Sequence, residues 1–329
     1  SNIHLIDVYT LKIFTFAIKF IVMLNRRHIR IKILQLLYAK KTGNIDNVSL
    51  LKQFDLASTN FYKFFLTQLL LFKEIFIESE RIFNINKNKY FKNEDNLIED
   101  LFLKNELLLF LNSNKFLIKA EKQFKLDYWK LNINKVQNIF KTIIKHEVIT
   151  NYSNKKINSY QLVQDIYKNI IVCNEELFNF YEDNELGWSD DFPLVNTLIL
   201  SWLTNFSIDQ SLKIPRKIFK DRSDKKFGKD LFKIVVKDKD ETEKIINDYT
   251  PDWDNDRIAV IDKIILKMCI YEFTSFPSIP VKVSINEYVE ISKEYSSPNS
   301  STFINGVINN IYKNLFEKDL IKKNERGLQ

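Results

Sequence analysis

The sequence predicts an all-α protein. Its 329 residues include only five glycines and six prolines, and the first proline is Pro193. Long stretches without these residues favour uninterrupted helices over short strands and turns. Apolar residues make up 45% of the chain and recur throughout it, which indicates a folded protein with a sizeable core. A chain of this length is expected to form one large helical unit or two smaller ones.

An apolar stretch, LKIFTFAIKFIV at residues 11–22, precedes an arginine pair near the start of the chain. Lys12 and Lys19 interrupt it, and it is shorter than the roughly 20 apolar residues of a membrane-spanning helix. No small-residue cleavage site follows it, so neither a signal peptide nor a membrane span is predicted. Because Met23 begins the sequence MLNRRHIR, we interpret residues 1–22 as an upstream extension outside the native chain. The alternative is an extra helix packed on the body.

Basic residues are concentrated in the same region. Up to Lys41 the chain has eight basic residues and one acidic residue, a surplus equal to the +7 net charge of the whole protein. From Asn25 onward Arg26, Arg27 and Arg30 fall on one helical arc, beside an apolar stripe of Ile29, Ile33, Leu36 and Leu37. Arginines in this arrangement can bind phosphates, so an anionic partner is expected there. Charge alone leaves a solvated helix start as an equal alternative.

The middle of the chain, residues 54–222, is predicted to form a separate set of helices. Apolar periodicity places them at 61–77, 96–111, 135–148, 161–180 and 194–206. Asp190 and Asp191 precede Pro193, which is typical of a helix start rather than of metal or acid–base chemistry. Core or inter-helix positions are expected for Trp129, Trp188 and Trp202.

The last third of the chain predicts four further helices and a polar tail at 318–329. The first starts near Lys225 and is ended by Pro251, and the second, capped by Asp254 or Asp256, is expected to be the hydrophobic centre. The motif FPSIP turns the chain into the third helix, and the fourth begins near Ser300. Gly306 lies inside this fourth helix, where glycine lowers stability unless a neighbouring helix or an RNA approaches closely.

Three separated blocks of this sequence share one recognisable order. They are RRHIRIKILQLLY at 26–38, DRIAVIDKIILKMCIYEF at 256–273 and IPVKVSINEYVEISKEYSSPNSSTFINGVINN at 279–310. Together they resemble the NusB family of bacterial transcription antitermination factors. The stretch from Lys225 to Trp253 is similar to that family's third helix, and GWSDDFPLVNTLILSWL at 187–203 is similar to long NusB-like proteins of the Bacteroidetes group.

The resemblance implies a NusB-like helical bundle that is split by a large inserted helical bundle. The RNA-binding domain would comprise residues 23–53 and 223–317, and the insertion would comprise residues 54–222. NusB proteins bind the single-stranded boxA element of ribosomal RNA leader transcripts together with the small-subunit ribosomal protein NusE. The complex then joins RNA polymerase and suppresses termination. The same role is expected for this chain.

The resemblance also assigns site residues. The expected RNA-binding residues are Arg26, Arg27, Arg30, Lys32, Lys267, Asn299, Ser300, Phe303 and Asn305. His28 stands where a further arginine is common in the family, which predicts weaker binding. Tyr38 and Asp262 match positions that face NusE; the alternatives are core packing for Tyr38 and a solvated helix face for Asp262. Phe303 has the helical spacing of a core residue as well as the chemistry of a base-stacking one.

Known catalytic signatures are absent from the sequence. It contains no glycine-rich phosphate loop, no GxGxxG and no HExxH, and its three histidines are isolated from one another. We therefore predict no enzymatic activity and no cofactor. Cys173 and Cys269 lie far apart, which predicts neither a disulfide framework nor a zinc site and fits a reducing cytoplasm.

Two other functional classes are consistent with parts of the sequence. One is a helical interaction scaffold that keeps the NusB shape without binding RNA, in which the basic helix would be dispensable. The other is a membrane-surface protein anchored by residues 11–22 and the arginines that follow. Removal of the residues before Met23 would abolish lipid binding only in this last case.

Overall fold

Helices form almost all the regular structure of the protein. The computed structural model describes residues 24–43, 46–87, 97–153, 159–185, 187–208, 213–250 and 258–328. Within these ranges the β-type backbone pairing consists of an isolated parallel bridge between Leu24 and Phe219. The predicted all-α class is therefore confirmed. The apolar stretch at 11–22 lies outside the described residues, as do Asp254 and Asp256.

The described residues form fifteen α-helices, which are numbered in chain order. They are α1 (Arg26–Thr42), α2 (Asn47–Lys87), α3 (Glu106–Ser113), α4 (Lys115–Phe124), α5 (Tyr128–Leu131), α6 (Ile133–Lys145), α7 (Glu147–Ser153), α8 (Ser159–Ile166), α9 (Glu175–Asn184), α10 (Trp188–Ile208), α11 (Arg222–Val236), α12 (Glu241–Asp248), α13 (Val260–Ser275), α14 (Val281–Tyr295) and α15 (Ser300–Glu317). Short π-helical segments occupy Glu99–Leu103 and Tyr167–Ile171.

The described chain divides into two compact units. One contains residues 58–218, and the other combines residues 24–57 with residues 219–328. The unit boundaries fall a few residues from those expected for the inserted region, and the assignment of a role to each unit remains a prediction. None of the helices in the described ranges is long and apolar enough to cross a membrane.

The unit of residues 58–218 has an aromatic core. Phe64 stacks on Trp188 with ring centroids 4.7 Å apart, and it meets the ring of Tyr181 at 4.8 Å. The indole of Trp129 is buried and donates to the carbonyl of Thr67 at 2.8 Å, which satisfies its polar atom. Trp188 and Trp202 are also fully buried, so the expected core positions of the three tryptophans are confirmed.

Asparagine side chains divide two of the helices predicted in this unit. The predicted helix at 96–111 is interrupted because Asn105 accepts hydrogen bonds from the backbone N–H groups of Leu107 and Leu108 and so starts α3. Asn174 likewise accepts from the N–H of Leu177 and starts α9 inside the predicted helix at 161–180. A short polar side chain that can cap a helix competes with helix continuation, and apolar periodicity does not reveal it.

Two other helices begin earlier than expected. α2 extends beyond the predicted 61–77 at both ends, since no glycine or proline interrupts its 41 residues. α10 begins at Trp188, so Pro193 lies inside the helix rather than ahead of it, and Asp190 and Asp191 occupy its first turn. Acidic residues in a first turn stabilise the helix, because they interact favourably with the positive end of its dipole.

The unit of residues 24–57 and 219–328 is arranged around α13. This helix packs against α1, α11, α12, α14 and α15. Leu266, Met268, Cys269 and Phe273 on α13 are completely buried, so the helix is the hydrophobic centre that the sequence predicts. Its N-cap residue is Ala259 rather than one of the predicted aspartates. α11 ends at Val236 and α12 at Asp248, both ahead of the predicted end at Pro251.

Candidate nucleic-acid interface

The start of α1 is fixed by a reciprocal cap. The side chain of Asn25 accepts a hydrogen bond from the backbone N–H of His28 at 3.0 Å, and Nδ1 of His28 accepts from the N–H of Asn25 at 3.4 Å. His28 thus takes the place that glutamate or glutamine holds in a capping box. The cap places Arg26 and Arg27 in the first turn, where their side chains reach the protein surface.

Arg26 lies between α11 and solvent. Its Nε is 2.9 Å from Oδ1 of Asp224, and its guanidinium lies 5.3 Å from the centre of the Phe227 ring. The side chain keeps 29% of its surface exposed, whereas Asp224 keeps 9%. The pair therefore neutralises part of the basic charge of α1 without removing the arginine from the surface.

Arg27 is held by a carboxylate of α14. Its Nε donates to Oε2 of Glu287 at 2.9 Å and its Nη2 donates to Oε1 at 3.0 Å, a two-bond fork. The hydrogen bonds that Arg27 donates to Glu287 raise the pKa of Arg27 above its ordinary value, because they favour the charged form. The side chain of Arg27 is 36% exposed, so part of the guanidinium still faces solvent.

Arg30 lies in the interior. Its side chain is 2% exposed and Glu272 on α13 is 0% exposed, with Nη2 and Oε1 separated by 2.5 Å. Glu272 also accepts hydrogen bonds from the hydroxyl groups of Ser284 at 2.7 Å and Tyr288 at 2.9 Å, both on α14. Burial alone would lower the pKa of Arg30, but the charge of Glu272 raises it above the ordinary value. This network joins three helices inside the unit.

The two lysines expected at the site also lie away from open solvent. Lys32 is 5% exposed. Lys267 on α13 has Nζ at 3.3 Å from Asp238 and 3.2 Å from Glu243, and its side chain is 19% exposed. Burial alone would raise the pKa of Asp238, but hydrogen bonds from Thr242 and the charge of Lys267 bring it below the ordinary value. Lys267 therefore ties α13 to the region of α12.

Asp262 holds the turn between α14 and α15. It is 5% exposed, and it accepts hydrogen bonds from the hydroxyl groups of Ser296 at 2.6 Å and Ser300 at 2.8 Å. It is therefore neither a solvated helix residue nor an exposed partner contact. Ser300 is itself 4% exposed, because its side chain points towards Asp262.

The first turns of α15 carry the other expected residues. Asn299 and Asn305 are exposed, and Phe303 is partly exposed. The side chain of Asn309 donates to the backbone carbonyl of Asn305 at 2.7 Å. A Cβ atom placed on Gly306 would meet, apart from its chain neighbours and the adjacent backbone of α15, no atom of the described residues within 4 Å. No neighbouring helix in the described residues therefore accounts for a glycine at this position.

The expected residues form separate groups in this unit. The arginines contact α11, α13 and α14, whereas Asp262 and Ser300 meet at the other end of α14. Tyr38 lies further along α1 with 45% of its surface exposed, so it is available to a partner. The expected RNA- and NusE-binding residues thus divide into two groups. Some have exposed side chains, and others are largely buried within the unit.

Sequence reasoning missed the acidic partners of the arginines. Asp224, Glu272 and Glu287 lie 198, 242 and 260 residues away from the arginines that they bind. One signal was present, because Glu272 is an acidic residue within the apolar helix expected to form the hydrophobic centre. A buried carboxylate needs a cationic or hydrogen-bonding partner, and that requirement alone would have pointed to an arginine.

Comparison with known proteins places this unit in a family context. A family model described as the NusB family matches residues 197–313, which begin inside α10 and exclude α1. The chain is similar to the transcription antitermination protein NusB of Salinibacter ruber, with 35% identity over 139 residues, 41% of this chain and 86% of that protein.

Two further relatives carry the same name. The protein from Methylacidiphilum infernorum is 41% identical over 93 residues, 28% of this chain and 65% of its own length. The protein from Chloroherpeton thalassium is 33% identical over 115 residues, 35% of this chain and 54% of its own length. The chain thus spans less than two thirds of each of these two relatives. No solved structure gives a significant match.

Proposed function

This chain belongs to the NusB family, and from that membership we propose that it is a transcription antitermination factor. In this proposal it binds boxA-like single-stranded RNA of ribosomal RNA transcripts together with the ribosomal protein NusE. The bound complex joins RNA polymerase in the cytoplasm and promotes processive transcription of ribosomal RNA. The protein acts by binding and has no catalytic role.

The observation that supports RNA binding most directly is the start of α1. Arg26 and Arg27 occupy its first turn with 29% and 36% of their side-chain surface exposed. Arginine can bridge two phosphate oxygens or stack on a base, and single-stranded RNA offers both. The buried Arg30 supports the same surface indirectly, because its bond to Glu272 fixes the helix that carries the other two.

The first turns of α15 supply a second set of RNA-binding groups. Asn299 and Asn305 present exposed amides, which can donate to and accept from base edges. Phe303 is partly exposed and offers a ring for stacking. Ser300 and Asp262 act through the turn that they hold, since both are buried.

The proposed RNA-binding domain is discontinuous. It comprises residues 23–53 and 223–317, and residues 54–222 are a helical insertion. Tyr38 is the proposed NusE contact, because it is exposed and follows the arginines on the same helix. Asp262, buried beneath the turn before α15, contributes to NusE binding by position rather than by contact.

The proposal is tested by measuring RNA binding of the purified full chain. A short boxA-like RNA and a scrambled RNA of the same composition are compared, with and without NusE, across a salt series. The proposal predicts tighter binding of the boxA-like RNA, a further gain with NusE, and a salt slope of about 0.7 per phosphate contact. A variant with Tyr38→Ala should bind RNA alone normally and lose the gain with NusE.

The competing function is a NusB-shaped interaction scaffold that does not bind RNA. The observation that favours it is the pairing of all three arginines with carboxylates, which removes much of the free positive charge of α1. Equal, weak binding of both RNAs that is indifferent to NusE would establish the scaffold instead.

A further inference from the structure

Arg27 of α1 has a carboxylate partner that also reaches the surface. Glu287, which forms the fork with Arg27, keeps 21% of its side-chain surface exposed. The buried pair of Arg30 and Glu272 has 2% and 0%. An RNA phosphate can therefore approach the first pair directly, whereas it has no access to the second.

The fork leaves donors of Arg27 unused. A guanidinium has five N–H donors, and Glu287 takes the one on Nε and one on Nη2. The remaining donors lie in the same plane, whose orientation is set by the fork because both bonds are near 3 Å. Arg27 can thus offer hydrogen bonds to a ligand while it stays bound to Glu287.

The fork also changes the electrostatics of the site. An unpaired arginine attracts any polyanion, because each neutralised phosphate releases counterions and strengthens binding without regard to sequence. A paired arginine has almost no net charge at a distance, yet it keeps directional donors. Such a group favours an RNA that places an acceptor at one position over an RNA that merely carries charge.

We propose that Glu287 is a specificity-determining residue of the RNA-binding surface, which suppresses binding of unrelated RNA by neutralising Arg27 and orients its free donors towards the matching RNA. This inference rests on the RNA-binding function proposed above. Asp224 neutralises Arg26 in the same manner, but it is 9% exposed and also lies in the first turn of α11. Glu287 therefore provides the cleaner test.

The test compares Glu287→Gln with Glu290→Gln in the full chain. Both variants remove one negative charge from α14, and both carboxylates act electrostatically on Arg27. The fork to Arg27 is made by Glu287, whereas Glu290 pairs with Lys293. Binding of boxA-like RNA and of the scrambled RNA is measured at several salt concentrations, and circular dichroism establishes that both variants are folded.

The inference predicts that Glu287→Gln tightens binding of the scrambled RNA by several-fold and steepens its salt slope by about 0.7, the contribution of one additional phosphate contact. Binding of the boxA-like RNA changes less, so the ratio of the two dissociation constants falls. Glu290→Gln, which removes a nearby charge but keeps the fork, changes that ratio much less than Glu287→Gln does.

Failure of the inference differs from failure of the proposed function. If the unaltered protein selects boxA-like RNA and Glu287→Gln keeps the same ratio, or loses both RNAs equally, Glu287 has no role in specificity and the proposed function stands. If the unaltered protein and both variants bind neither RNA, the function and the inference are both overturned.

Discussion

Arg27 and Arg30 lie about one turn apart on α1, and each is bound to a glutamate, but their surroundings differ completely. Arg27 is 36% exposed and its partner is on the surface of α14. Arg30 is 2% exposed and its partner is the fully buried Glu272 of α13. One basic cluster in a sequence can therefore contain both an exposed arginine and an interior one.

The reason for the difference lies in the number of groups that share each carboxylate. Glu272 accepts from Arg30, Ser284 and Tyr288, so its lone pairs are satisfied without water. A buried ion pair is tolerated when such additional hydrogen bonds are present. Glu287 faces solvent on one side, which supplies the hydrogen bonds that the protein does not.

The largest effect is expected when the buried pair is broken. Arg30→Ala removes the guanidinium that is bound to the buried carboxylate of Glu272, and loss of one member of such a pair costs about 3–5 kcal/mol. Thermal or denaturant unfolding measures the loss. The conservative variant Arg30→Lys retains the charge but not the fork, so we expect intermediate stability. Arg30→Ala with unchanged stability would contradict the structural role.

The buried pair also shows what the sequence can and cannot predict. The periodicity of α1 predicts its apolar stripe correctly, since Ile29, Ile33 and Leu37 are buried. The same wheel places Arg30 beside Arg26 and Arg27, because the spacing of residues on one helix holds no information about a partner 242 residues away. Long-range pairing decides which arginine is interior.

In the candidate site, too, tertiary contacts decide which of the expected residues are exposed. Exposure of Tyr38, Asn299 and Asn305 agrees with the roles expected of them, and those roles remain predictions. Burial of Ser300 and Asp262 depends on the turn that brings Ser296 to α13, which is tertiary structure. Predicted and observed helix boundaries differ at capping asparagines such as Asn105. There the asparagine side chain accepts hydrogen bonds from the backbone and starts a new helix.

A second interior contact of α1 predicts a smaller effect. A Cβ atom on Gly228 of α11 would lie 2.7 Å from Cγ2 of Ile29 and 2.8 Å from Cζ of Phe54. Gly228→Ala should destabilise the protein, because overpacking costs about 1–3 kcal/mol. The higher helix propensity of alanine offsets only about 1 kcal/mol of this cost. Equilibrium unfolding measures the change in stability. A gain in stability would show that the side chains around Gly228 can move to make room for the added methyl group.

Gly306 is the surface counterpart of Gly228. Beyond the adjacent backbone of α15, no atom of the described part of the chain lies within 4 Å of the added Cβ, so Gly306→Ala should stabilise α15 by about 0.5–1 kcal/mol. The same variant should weaken RNA binding if RNA approaches the helix at this point. Raised melting temperature with unchanged RNA affinity would remove Gly306 from the binding surface.

The smallest change in stability is expected at the exposed pair. Arg27→Ala breaks a partly exposed fork, and such pairs contribute about 0.2–1 kcal/mol. Glu287 can then be solvated, and it remains 3.7 Å from Nη1 of Arg30. A loss of stability as large as that of Arg30→Ala would show that the two arginines contribute equally to the fold.

RNA binding is expected to depend on the start of α1 rather than on the total charge of that helix. The most direct measurement is the affinity of boxA-like RNA for the double variant Arg26→Ala with Arg27→Ala. The matched control is Lys40→Ala with Lys41→Ala, which removes the same charge from the last turn of the helix. We predict a loss of about tenfold or more for the arginine variant, equivalent to 1.4 kcal/mol, and little change for the control. Equal losses in the two variants would show that the total charge of α1, and not its start, governs RNA binding.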